Sequence, residues 1–203
     1  MLPDSPDFLD RWLTLIAREH PAAAFGGLSL RQAPRESETA LHHFLFRRSR
    51  LPQSRRPRAR RCAVHRRQQS PRAPRRARRH ALRRHLQWMG WEDVDWALRA
   101  ARLGAIRHID NPATHARSRH TETLLRKYRE AGPNYARLLD KHPEAKRFAS
   151  HRAARIIKRL PGQASLQRFF SWLARDPIGA APMPMRHAAL KLYRTSVYAE
   201  HLP

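Results

Sequence analysis

The chain has 203 residues and a mass of 23.8 kDa, enough to bury one domain's core. Its formal net charge is +26, with 42 Lys and Arg against 16 Asp and Glu, so an anionic partner has to be considered from the start. A single cysteine, Cys62, excludes an internal disulfide and a C-x-x-C metal site. The acidic start "MLPDSPDFLD" lacks an apolar leader core, and no run of about 18 apolar residues occurs, so the chain reads as soluble and cytoplasmic, or at most membrane-peripheral.

In chain order, residues 1–46 read as a partial α/β core. Ser5 as N-cap and Pro6 at the first helical position open a helix whose buried face is Phe8, Leu9, Trp12, Leu13 and Ile16, and Pro21 ends it. "AAAFGGLSL" follows as a buried strand with a turn at Gly26 and Gly27, and residues 36–46 as a second helix burying Leu41, Phe44 and Leu45. Residues 47–87 hold 17 Arg and no Lys, Asp, Glu, Gly or aromatic residue, a composition expected to be disordered or weakly helical. Residues 88–116 restore order: a helix over 92–103 with Val94, Ala97, Leu98 and Ala101 on one face, Gly104 past its end, then the strand "AIRHID". Residues 117–203 are a helical tail. A helix closed by Gly132 is followed by one opened by Pro133, then by three more, with Leu124, Leu125, Tyr128, Leu138, Ile156, Ile157, Phe169, Leu173, Leu190 and Tyr193 among the buried positions.

Chemistry concentrates in one helix start. Glu92, Asp93 and Asp95 lie beside Trp91 and Trp96, and two readings are open. One is an ordinary first turn, with acids favoured by the helix dipole and tryptophans in a core. The other is a sugar site, where aromatic rings stack on pyranose faces and a carboxylate takes the proton of an attacking hydroxyl.

"GWEDVDWALRAARLGAIRHIDNPATH", residues 90–115, resembles the catalytic-base region of family 2 glycosyltransferases, with G-W-E-D, a further Asp, a helix ending in Gly, a short strand and a distal His. "PDFLDRWLTLIAREHPAAAFGG" is similar to the segment after the D-x-D motif of those enzymes, and "TLLRKYREAGPNYARLLDKHPE" to their helical tail. The resemblance implies a GT-A fold, represented here by a mostly helical α/β remnant with a helical tail and an arginine-rich insert. It also implies inverting transfer of a sugar from a nucleotide sugar to the hydroxyl of a saccharide or lipid-linked acceptor. By motif matching Asp93 is the general base and Glu92 its neighbour on the acceptor, with Trp91, Asp95 and Trp96 on the acceptor side. His115 matches a metal ligand for a divalent Mn or Mg ion, which prefers oxygen donors though Mn accepts imidazole.

The resemblance fails in two places. No D-x-D precedes the P-D-F-L helix, so the donor-binding half is expected to be missing and the chain inactive alone. Residues 47–87 match nothing in the family. "VHRRQQSP", residues 64–71, has an encoding that reads "FTGGNNL" one base later, and "ALRRHLQW", residues 81–88, one that reads "PFDDIFNG" under the same shift; both resemble acceptor-side segments of the family. A reading-frame error is therefore the expectation, and a true arginine-rich insertion its alternative. DNA whose next frame encodes neither T-G-G-N nor F-D-D rules the error out. In another function class, Arg47 to Arg84 would neutralise phosphates in a nucleic-acid-binding protein, and non-specific binding of that kind is expected in solution. The basic helix over 185–202 would contact an anionic membrane.

Overall fold

The computed structural model describes residues 1–21, 23–49, 90–104 and 106–202. The expectations placed on residues 50–89, disorder and frame among them, lie outside the described residues; residues 47–49, expected to belong to that stretch, are the end of the second helix.

The apolar run after Pro21 forms β2 (Ala23–Phe25) and β3 (Leu28–Ser29), which run parallel to β4 (Ile106–His108) and β5 (Ala113–Thr114). Ala23 faces Ile106 and Phe25 faces His108, but Leu28 faces Ala113, so the second strand carries two extra residues between its halves. Gly26 lies at this bulge. A Cβ there would overlap the Asn111 carbonyl oxygen and come within 2.7 Å of the Trp12 ring, so glycine is what lets the two backbones approach. β1 (Leu2–Pro3) adds antiparallel to β5. A buried polar chain crosses these strands. Thr114 donates its one hydroxyl proton to Asp4 (2.6 Å), so Ser29 must be the donor in its 2.8 Å contact with Thr114.

α1 (Phe8–Glu19) starts two residues later than the sequence suggests. Asp7 spends its carboxylate on the Ser5 hydroxyl and on Arg11 (2.7 Å), so neither Ser5 nor Asp7 caps the helix through its side chain. Those bonds, Ser5 first and Arg11 second, hold the Asp7 carboxyl below its ordinary range. The buried face also differs. Leu15 is buried and Phe8 and Trp12 are half-buried against the sheet, whereas Leu9, Leu13 and Ile16 are 70%, 65% and 52% exposed. The apolar arc of α1 is wider than strands of two or three residues can cover, and the sheet takes its Phe8–Trp12–Leu15 edge.

The rest is a helical bundle: α2 (Ala40–Ser49), α3 (Glu92–Ala101), α4 (Thr121–Lys141), α5 (Ala149–Lys158), α6 (Gln163–Arg175) and α7 (Met183–Glu200). A 3-10 turn, Ser37–Thr39, leads into α2, and the buried Thr39 hydroxyl donates to the Glu36 carbonyl (3.0 Å) and accepts its N–H (3.2 Å). Leu41 is buried as expected, with Phe44 and Leu45 half-buried.

α4 is one helix where the sequence suggests two. Gly132 does not cap it: a Cβ at Gly132 would overlap the His201 ring and sit 3.1 Å from Val197, so the residue serves close approach of α4 to the end of α7. Pro133 forfeits one helical hydrogen bond on an exposed side, and burial of Leu124 and Leu125 before it and Tyr135, Leu138 and Leu139 after it outweighs that loss.

α7 is the central helix, packed on α2, α4, α5 and α6. It buries His187, Leu190, Tyr193, Val197 and Tyr198, so its apolar side is spent on the bundle and is not turned outward as a membrane-facing helix would need. Ser171 and Ala174 are the side chains α6 buries, which brings α6 close to α7 and leaves Phe169 53% exposed, contrary to expectation. Ile156 is likewise 64% exposed, because α5 turns His151, Ala154 and Ile157 inward.

Candidate functional site

The entry to α3 is backbone-limited. Gly90 has φ 110° and a Cβ on it would lie 2.7 Å from the Ala131 Cβ. Trp91 follows in the left-handed region, φ 76°, a conformation costing a bulky residue about 1 kcal/mol. Its indole is seated among aromatic rings of the bundle, 4.9 Å from Tyr135 and 5.4 Å from Tyr198, which themselves stack at 4.6 Å. That packing offsets the strain. Burial raises the hydroxyls of both tyrosines, that of Tyr198 to about 12, so these rings are neutral.

The three carboxylates of the motif have three different environments. Glu92 accepts the Gly90 N–H at 2.6 Å. Asp93 is exposed. Asp95 is buried, 5% exposed, and held on both oxygens: Oδ1 by His142 Nε2 at 2.9 Å and Oδ2 by Arg99 Nε at 3.1 Å. Burial alone would raise the Asp95 carboxyl; the His142 hydrogen bond, Arg99 and Lys141 outweigh it and hold it below the ordinary range. His142, itself buried, has Arg102 at 3.3 Å from Nδ1, and Arg102 also donates to Glu144 at 2.8 Å. Nδ1 also lies 3.5 Å from the Glu144 carboxylate, and because the Asp95 carboxylate only accepts, the Nε2 N–H is the donor between the two.

Trp91, Glu92, Asp93, Asp95 and Trp96 thus share one helix start, but they do not share a surface. Trp91 and Asp95 turn into the bundle, Trp96 is half-buried, and Asp93 alone of these five is exposed. Arg99 stands four residues after Asp95, the spacing of a helical ion pair, a signal passed over in the sequence; His142, Arg102 and Glu144 carry no such signal. His142 lies 47 positions from Asp95, before a proline at a helix end, and no spacing rule joins the two.

His115 belongs to a different neighbourhood. Its N–H donates to the Ser29 carbonyl (2.8 Å) and its Nδ1 contacts the Arg117 carbonyl (2.9 Å). His115 is also among the groups whose charge acts on His42. Among the described residues no three His, Cys, Asp or Glu side chains converge as a metal-binding group.

His42 itself is 5% exposed and accepts the Arg119 N–H on Nδ1 at 3.2 Å. Burial first, then Arg119, His43 and His115, depress it from 6.5 to about 4. Because its folded value lies below the unfolded one, stability is complete above about pH 6.5 and falls as pH drops toward 4. Urea unfolding should show about 2 kcal/mol lost between pH 7.5 and pH 5 from this group. His42→Asn keeps an acceptor near Nδ1 without titrating and should remove most of that loss; an unchanged pH profile would refute the assignment.

Compared with known proteins, the chain finds no matching family model, curated relative or solved structure. Among the described residues no helix is long and apolar enough to cross a membrane.

Proposed function

We propose that residues 1–203 carry the acceptor side of a glycosyltransferase-type site related to the family 2, GT-A enzymes, with Asp93 as general base. The observation that supports this is the division of labour among the three carboxylates. Asp95 is committed to anchoring α3 and Glu92 to the Gly90 N–H, while Asp93 stands in solvent at the same helix turn. That is the position from which a carboxylate takes the proton of an acceptor hydroxyl as its oxygen attacks the anomeric carbon and the bond to the leaving nucleoside diphosphate breaks. Trp91 acts through position: seated on Tyr135 and Tyr198, it fixes the start of α3. The donor nucleotide sugar would be bound by a further α/β half bearing D-x-D, so transfer is assigned to the combination and not to 1–203 alone.

The test is a chimera joining 1–203 to the donor-binding half of a family 2 enzyme. Asp93→Asn, nearly isosteric but unable to accept a proton, should lower kcat by about 10²-fold at unchanged melting temperature. A loss under about tenfold would sink the base assignment. The nucleic-acid reading rests on Arg47 to Arg84, which from residue 50 onward lie outside the described residues.

A further inference from the structure

Between Glu144 and Asp176 the chain holds eight Lys and Arg and no carboxylate side chain. α5 and α6, joined by residues 159–162, both lie within this acid-free stretch and both pack on α7. Their outward sides are amphiphilic in an unusual way. On α5 the exposed stripe is Arg152, Arg155, Ile156 and Arg159, at i, i+3, i+4 and i+7, with Leu160 exposed just beyond. On α6 it is Arg168, Phe169 and Trp172, the two aromatic rings stacked 26° apart at 6.5 Å. Ile156, Leu160, Phe169 and Trp172 are 64%, 47%, 53% and 46% exposed. Single exposed apolar side chains are ordinary, but four of them on two consecutive helices, in a stretch with eight basic residues and no carboxylate of its own, are not; the acids that reach α6 are Glu200, 3.1 Å from Gln167, and Glu122, paired with Arg175.

We infer that the outward face of α5 and α6 docks on an anionic lipid surface. The charge selects the partner: Arg152, Arg155 and Arg159 meet lipid phosphates, and the exposed aliphatic side chains of α5 and aromatic side chains of α6 enter the acyl boundary. A nucleic acid would satisfy the arginines but leave Ile156 and Leu160 in water. The exposed apolar residues of α1 do not fit this partner, since Asp10 and Glu19 share that helix with Arg11 and Arg18. The face is thus distinct from the 185–202 helix, whose apolar side is buried, and the inference stands independently of the transferase reading.

The test needs a local reporter, because the 17 Arg of residues 47–87 would carry any chain onto anionic vesicles. In a Cys62→Ser background, Phe169→Cys is labelled with NBD and mixed with phosphatidylcholine vesicles containing about 30% phosphatidylglycerol. Emission should shift to the blue and rise at least about twofold, with no rise on phosphatidylcholine alone and little at a Leu13→Cys label. The triple change Arg152→Glu, Arg155→Glu, Arg159→Glu, at exposed positions and checked for folding by circular dichroism, should abolish the signal at 169. Three outcomes overturn the inference: vesicle binding without a change at the 169 label, a signal untouched by the triple change, or stronger shielding of that label by duplex DNA or RNA than by vesicles.

Discussion

His142→Ala should destabilise the protein by about 3 kcal/mol, a large share of the roughly 5–15 kcal/mol available to a domain. The imidazole is buried, its Nε2 donates to Asp95, and its Nδ1 faces Arg102 and Glu144. Removing it leaves a carboxylate in the interior with Arg99 as its remaining partner, and the cost is mostly that of the stranded charge. The same reasoning fixes the controls. His142→Gln, which can still donate to Asp95, should cost less than half as much, and Asp95→Ala combined with His142→Ala should cost well under the sum of the two singles. Urea midpoints at pH 7 measure all three. A loss under about 1 kcal/mol for His142→Ala would mean that the pair does not hold α3 in place.

Gly26→Ala should be nearly as damaging, about 3 kcal/mol or roughly 6–12 °C in Tm. The added methyl meets backbone, not a flexible side chain. The Asn111 carbonyl it would strike belongs to a residue whose N–H bonds the Gly26 carbonyl (3.1 Å) and whose side-chain amide bonds the Phe8 carbonyl (2.9 Å). Relief requires the 109–112 bulge to move, and with it the parallel ladder and the seat of α1. A melting curve within about 2 °C of the parent would show that the bulge yields freely. Gly132→Ala should cost less, because the His201 ring it meets can rotate away.

That the chain after Gly90 is mostly helical was legible from periodicity, though 121–141 read as two helices and the stretch from Pro143 as one, and the broken strand at Gly26 and Gly27 was legible from its glycines. What periodicity could not supply was the width of the covering partner. Leu9, Leu13 and Ile16 lie on an apolar arc like any buried one, and only the short strands show that half of that arc is uncovered. Breaker rules misled at Gly132, where the glycine serves contact with α7 rather than a helix end. At the candidate site the cluster of carboxylates was legible and their inequality was not. Whether an acid is a reagent or an anchor depends on what faces it, and Asp95 is an anchor because of a histidine 47 residues away. A local motif does not carry that information.

The contiguous apolar core is drawn from α2 and from the helices after Thr121, and includes no residue of α1 or of the strands. Amide exchange should therefore report two levels of protection in one chain. Backbone protons around Tyr135, Leu190 and Val197 are released only when the bundle opens as a whole. Those of β2 and β4, covered by little more than Leu15 and Ala23, escape through local opening at much lower free energy. A protease would accordingly find α1 and its strands first, and the bundle could outlast their removal.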